Sequence, residues 1–345
     1  MNIIFRVDSS NKIGIGHLMR CLTLADALRE KNYKITFICR DLIGNLIDLI
    51  RRKGYKVIVL LFDVEFKSNS LYLDWLGATQ GQDAQQTIQS LSDSVDLLVV
   101  DSYALDKKWH VKLKAHVVKI LVIDDLADRD FDCDILLNQN LGSKRQDYQG
   151  RVPDGCQLLL GRRYVLLRPE FLKLRKASLV KRDSTRKIKN VFVSMGGSDN
   201  NNITYNVLQQ LDSELNIVVV LGEQSPHNKT IQNYAKNRNI EVITGTDNMA
   251  ELMLEADVAI GTSGSTSWER CCLGLPTLLY IVADNQRKIA EELEQFGAIM
   301  IVQNLKDDLQ KITHDLTLWK FKSDSSKNVC DGLGVGRIVE ALWTE

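Results

Sequence analysis

Short, nearly uninterrupted apolar runs punctuate the first half of the chain: IIFRV from Ile3, ITFIC from Ile35, VIVLL from Val57, LLVV from Leu97 and ILVI from Ile120. Runs of this length without polar alternation are the mark of strands covered on both faces, as in a parallel sheet. Between them Leu18, Leu22, Ala25 and Leu28, and then Leu42, Leu46 and Ile50, recur at helical spacing and predict crossover helices. The rhythm restarts at VFVSM from Val191 and continues through IVVVL from Ile217, VITG from Val242, VAIG from Val258 and TLLYIV from Thr277. The pattern therefore predicts an α/β protein in two halves: residues 1–168, a linker over 169–189, and residues 190–345. The segment from Arg168 to Lys189 carries nine Lys or Arg residues, which read as the solvated face of a helix leading into a hinge rather than as a site.

Composition narrows the function classes. The 345 residues suit two domains, and 44% hydrophobic residues suffice for two cores. Lys+Arg and Asp+Glu both total 44, so net charge is zero and no bulk field favours nucleic acid or an anionic membrane. An anionic partner must be met by a local site. The seven cysteines are odd in number and lack C-x-x-C spacing, so neither a disulfide framework nor a zinc site is expected, and buried free thiols are. No leader-like or membrane-spanning apolar segment is read, so a cytoplasmic protein with no integral membrane segment is expected. No heptads or broad apolar stripe can be identified, so a monomer is expected.

Three constellations carry candidate chemistry. The first is Arg6-Val-Asp8-Ser-Ser10, followed by Gly14-Ile-Gly16-His17, in the loop between the first strand and the first helix. Ligands of open α/β sheets bind beyond the carboxyl ends of strands, and two glycines let backbone approach a ligand. A histidine at a helix N-terminus is disfavoured as imidazolium and so suits a general base; the competing view is a turn with a capping histidine. Met19 stands where the dinucleotide fingerprint needs its third glycine, so that cofactor is not expected.

The second is Met195-Gly196-Gly197-Ser198-Asp199 after the strand Val191–Ser194, a loop whose amides can cradle phosphate or merely turn the chain. The third is Gly261 to Glu269 after the strand Val258–Ile260, with Ser263, Gly264 and Ser265 at a helix start and Glu269 four residues beyond Ser265 on the same face. A carboxylate there can accept from both ribose hydroxyls; a Ser or Thr capping box is the alternative. Two phosphate-type loops in one half point to a nucleotide diphosphate. No Walker loop is present, and Asp124 and Asp125 lack a histidine or third carboxylate at ligand spacing, so neither a metal nor another cofactor is expected. Asp101-Ser102-Tyr103, Asn138 to Asn140 and Asp284-Asn285-Gln286 read as loops or caps, and the other histidines as surface or structural residues.

Taken together, Arg6-x-Asp8-x-Ser10, Gly14-x-Gly16-His17, Asp101-x-Tyr103, Met195 to Asp199 and Ser263-Gly264-Ser265 with Glu269 resemble the pseudaminic acid pathway UDP-sugar hydrolase family along almost the whole chain. That family resembles the glycosyltransferases of the GT-B fold, especially the N-acetylglucosaminyltransferase that makes lipid II. The resemblance implies two Rossmann-like α/β domains facing a central cleft. It also implies metal-independent hydrolysis of UDP-2,4-diacetamido-2,4,6-trideoxy-β-L-altropyranose to UDP and the free sugar, with UDP-sugar and water as the only partners. Residue by residue, it implies His17 as the base, and Arg6, Asp8, Ser10, Gly14, Gly16, Tyr103 and Asn285 along the substrate. It assigns Gly196, Gly197, Ser198, Ser263, Gly264, Ser265 and Glu269 to UDP, with Asn248 and Met249 at uracil. A transferase with a UDP-sugar donor and a non-catalytic nucleotide-sugar binder are the alternatives, and a related diacetamido sugar remains open. The segment Asp331-Gly-Leu-Gly334-Val-Gly336-Arg337 has no counterpart in shorter members and is expected to form a packing helix.

Overall fold

The computed structural model describes residues 1–62, 65–91, 94–197, 199–223 and 225–343, apart from the side chain of Asn285. The chain divides into two compact units, one of Met1–Leu166 with Gly334–Glu345, the other of Leu167–Leu333.

In the first unit β1 (Asn2–Val7), α1 (Gly16–Arg29), β2 (Lys34–Arg40), α2 (Ile47–Arg52) and β3 (Lys56–Leu60) alternate as expected. They are followed by α3 (Leu71–Leu76), α4 (Gln80–Gln89), β4 (Val95–Asp101), α5 (Lys107–Lys114), β5 (Val117–Ile123), β6 (Ile135–Asn138) and β7 (Gln157–Leu160). All seven strands are parallel, in the order β3-β2-β1-β4-β5-β6-β7, with Phe5 opposite Phe37 on one side and Val99 on the other. The apolar runs are continuous because both sheet faces are covered: Phe5, Phe37 and Val99 belong to one core, Ile4, Ile38 and Leu98 to the other. The topology changes direction between β1 and β4, so the loops leaving Val7 and Asp101 emerge side by side.

The second unit begins with α6 (Pro169–Ser184), then runs β8 (Asn190–Ser194), α7 (Ile203–Leu208), β9 (Asn216–Leu221), α8 (Asn228–Ala235), β10 (Ile240–Thr244), α9 (Met249–Glu255) and β11 (Val258–Thr262). It closes with α10 (Ser265–Cys272), β12 (Thr277–Tyr280), α11 (Asp284–Gln295), β13 (Ile299–Ile301), α12 (Leu305–His314) and α13 (Leu316–Val329). The order β10-β9-β8-β11-β12-β13, again all parallel, puts its own change of direction between β8 and β11. The chain then returns to the first unit as α14 (Gly334–Ala341), which packs on α1 and buries Ile338 and Leu342 in that unit's core.

Three expectations need correction. Most of the stretch read as a linker is α6, integral to the second unit: Phe171 and Arg182 are buried, and Ser178 Oγ donates to the Leu273 carbonyl at 2.7 Å. Residues 334–345 belong to the first unit because their apolar face completes its core. Leu42 and Leu46 are not helical, since Gly44 at φ +78° interrupts the turn before α2. All seven cysteines are free and buried, and among the described residues no helix is long and apolar enough to cross a membrane.

Candidate functional site

In the first unit the loop after β1 is shaped by its own small residues. Ser10 Oγ accepts from the amides of Lys12 (3.2 Å) and Ile13 (3.0 Å), and Gly14 N donates back to the Ser10 carbonyl at 2.8 Å. Gly14 takes φ +80°, which any L side chain would resist, and the turn delivers the chain to α1 at Gly16. No side chain caps α1, and a Cβ built on Gly14 or Gly16 would meet nothing within 4 Å, so the space beside both glycines is open.

His17, 9% exposed, stands in that first turn. Its Nδ1 lies 2.6 Å from Asp101 Oδ1 at the end of β4, and its ring meets Tyr103 edge-on at 4.6 Å. Asp101 is fixed in turn by Arg20, which donates from Nε to Oδ2 (2.6 Å) and from Nη2 to Oδ1 (2.7 Å). Burial opposes ionisation of Asp101, but Arg20 and then His17 outweigh it and hold the carboxyl well below the usual range. A carboxylate is acceptor-only, so a ring that donates from Nδ1 to Asp101 turns Nε2 away from that contact, while Arg20 Nη2 lies 3.2 Å from the same Nδ1. Arg20 Nη1 continues to Asp125 (2.7 Å), which also accepts from Tyr103 OH at 3.0 Å; burial, then Asp125, raises that phenol so that it stays protonated.

A recess beside His17 is lined by Asp8, Ile13, Tyr103 and, from α3, Tyr72 and Trp75. Asp8 Oδ1 accepts from Arg6 Nη1 and from the amide of Arg40, while Oδ2 is buried without a partner. Arg6 is different: fully buried, it is held by Asp8 at 2.7 Å and Asp83 at 2.6 Å. Its expected contact with substrate is corrected, since no surface of the guanidinium is left to touch one. It supports Asp8 from beneath.

In the second unit, Gly196 adopts φ +91° and a Cβ there would lie 3.9 Å from Thr262 Oγ1, which brings the loop after β8 against the end of β11. A Cβ on Gly222, after β9, would overlap the Gly197 carbonyl oxygen, so that residue is glycine to let the loop lie close. Asp199 does not reach outward; its carboxylate accepts from the amides of Ile203 (2.8 Å) and Thr204 (2.9 Å) and starts α7. Gly264 precedes α10 without any side-chain cap, so the capping-box alternative is not realised. Ser265 is the exposed first residue of that helix, and the neighbouring Ser263 Oγ is buried and unpartnered. Glu269, 7% exposed, accepts at Oε1 from Arg168 Nη2 at 2.9 Å, while Oε2 has no partner; burial raises its carboxyl. Asn248 is exposed just before α9, and Met249 is buried at its start. Ser198 and the side chain of Asn285 lie outside the described residues.

Residues 190–328 match the glycosyltransferase family 28 C-terminal domain. Over 301 residues the chain is 31% identical to the UDP-2,4-diacetamido-2,4,6-trideoxy-beta-L-altropyranose hydrolase of Campylobacter jejuni, covering 86% of this chain and 97% of that one. The chain belongs to that hydrolase's family. It is also 23% identical over 358 residues to the spore coat polysaccharide biosynthesis protein SpsG of Bacillus subtilis, covering 99% of this chain and 98% of that one. Its fold is similar to that of MurG from Acinetobacter baumannii, with a TM-score of 0.66 at 14% identity over 99% of both chains. The two parallel sheets are thus of the GT-B type, in a family of nucleotide-sugar enzymes.

Within this family member the structure gathers Asp8, His17 and Tyr103 around one recess, and Gly196 and Gly197 beside the end of β11 that leads to Ser263 and Gly264. Sequence reasoning missed the partners. Arg20 follows His17 by three residues, one helical turn on the same face, which was visible. Asp101 required knowing that β4 lies next to β1, and Arg168, Tyr72 and Trp75 gave no motif.

Proposed function

We propose that this chain hydrolyses UDP-2,4-diacetamido-2,4,6-trideoxy-β-L-altropyranose to UDP and 2,4-diacetamido-2,4,6-trideoxy-L-altrose. One observation carries the reading: the Nδ1 contact of His17 with Asp101 at 2.6 Å, which presents Nε2 as a base. A water donates its proton to Nε2 as its oxygen bonds to the anomeric carbon. The bond from that carbon to the diphosphate oxygen breaks, and UDP leaves with the electron pair. Asp101 steadies the imidazolium so formed, with Arg20 fixing the carboxylate.

In this reading Gly196, Gly197, Ser198, Ser263, Gly264 and Ser265 meet the diphosphate with amides and hydroxyls, the groups that best stabilise a developing oxyanion. Glu269 takes the ribose hydroxyls through its open Oε2, and the backbone of Asn248 and Met249 takes uracil. Asp8, Ser10, Gly14, Gly16, Tyr103 and Asn285 are assigned to the sugar, and the name of the C. jejuni relative supports that choice of sugar. A purified-protein assay with the synthetic UDP-sugar in ¹⁸O-water, without acceptor, tests the proposal. UDP release with label in the sugar is expected. Label in phosphate contradicts cleavage at the sugar carbon. Release only with an added acceptor makes the protein a transferase, which the family 28 domain also accommodates. No release under either condition leaves a nucleotide-sugar binder.

A further inference from the structure

Arg270 in α10 is 1% exposed and has no ion-pair partner among the described residues. Only Nη2 is engaged, donating to the Thr262 carbonyl at 2.8 Å and to Ser267 Oγ at 3.1 Å; Nε and Nη1 have no partner. Helical side chains lean toward the N-terminus, so a residue of the second turn lays its guanidinium back beneath the first. There it lies against Gly261, where a Cβ would overlap Nη1 and stand 2.8 Å from the Ser194 carbonyl oxygen. The charge therefore sits where β8 and β11 end side by side, at the base of the loops that begin at Met195 and Ser263. Glu269, its neighbour in sequence, is engaged by Arg168. Burial pushes the guanidinium down to about 10, so it remains positive at neutral pH. A cation removed from water with no ion pair of its own is strongly disfavoured; the carboxylate whose field reaches it, Glu269, is already held by Arg168, and Ser263 Oγ, one residue beyond the carbonyl that Arg270 holds, is buried without a partner.

We propose that Arg270 is the counter-charge of the substrate's diphosphate, a positioning residue that acts through its field from beneath the two glycine loops rather than by touching the ligand. Fixed between strand ends, it needs no reorganisation as negative charge grows on the leaving oxygen. The inference rests on the UDP-sugar reading above.

Calorimetric binding of UDP, UMP and uridine to the wild type and to Arg270→Lys, Arg270→Met and Arg270→Gln tests it. A unit charge ~8 Å away at an effective dielectric of about 20 corresponds to about thirtyfold in binding. UDP should weaken by about that factor in the methionine and glutamine variants, UMP by less, and uridine not at all, with lysine restoring UDP affinity. Equal losses of UDP and uridine, or lysine as weak as methionine, would make Arg270 a structural pin of the turn and overturn the proposal. So would unchanged UDP affinity in folded Arg270→Gln. If Arg270→Met fails to fold, the lysine and glutamine variants carry the comparison, with uridine affinity as their control. A wild type that binds neither UDP nor uridine removes the UDP-sugar reading itself.

Discussion

Replacing Asp101 by asparagine isolates the contribution of its charge, because the amide has nearly the same shape. In the native arrangement Oδ1 receives His17 Nδ1 and Arg20 Nη2, while Oδ2 receives Arg20 Nε. The amide nitrogen, in either orientation, faces a donor of Arg20. In one of them it also faces His17 Nδ1, which must then accept and turns the wrong tautomer outward. Both orientations leave the Arg20 guanidinium beside the ring with no carboxylate to offset it when the imidazolium forms. At the ~4 Å separating such charges, an effective dielectric of about 20 gives about 4 kcal/mol, about a thousandfold in rate. That falls inside the ~100- to 10,000-fold expected of a positioned base. UDP release in single-turnover experiments should slow by this factor, with UDP affinity changed less than about threefold. In the proposed reaction His17 and Asp101 act as one unit, so His17→Ala with Asp101→Asn should be no slower than His17→Ala alone. A folded Asp101→Asn protein turning over within about threefold of wild type would refute the dyad.

Gly222→Ala places a Cβ on the Gly197 carbonyl oxygen and must push the Gly196–Gly197 loop outward, so UDP affinity should drop about tenfold or more with the fold retained; calorimetry and circular dichroism check both halves of the statement. His110 is fully buried with Nε2 unpartnered, and burial, then Arg129, depresses it to about 3. The unfolded ring takes a proton below about pH 6.5 whereas the native one does not, so this group's contribution is intact above that value and shrinks by about 1.4 kcal/mol per pH unit on acidification. The difference in unfolding free energy between wild type and His110→Phe, measured by urea titration at about pH 7.5 and about pH 5, should follow that slope; a pH-independent difference contradicts it.

The ten apolar runs read from the sequence all became strands, because parallel strands covered on both faces have no polar alternation to obscure them. Three strands escaped notice. β6, β7 and β13 have only four, four and three residues, too few to show a period. The loops at Gly14–His17, Gly196–Gly197 and Ser263–Gly264 were legible because glycine and small hydroxyls at strand ends have specific backbone uses. Charge pairing was not. Arg6 looked like a ligand contact, yet it is sealed by Asp83, a helix residue 77 positions away, and no local pattern announces that pairing. The same holds for Asp101, whose role depends on which strand β4 joins.

The return of α14 to the first unit bears on the order in which the protein can be made. Residues 1–166 leave the ribosome first, but Ile338 and Leu342 fill their core, each worth about 1.5–3 kcal/mol in burial. The second unit, continuous from Leu167 to Leu333, has no such debt to later sequence. The unit translated first is thus the last able to close, and it waits with an apolar groove open along α1. A released chain that ends at residue 333 should carry a protease-resistant second unit and a first unit still easily cut.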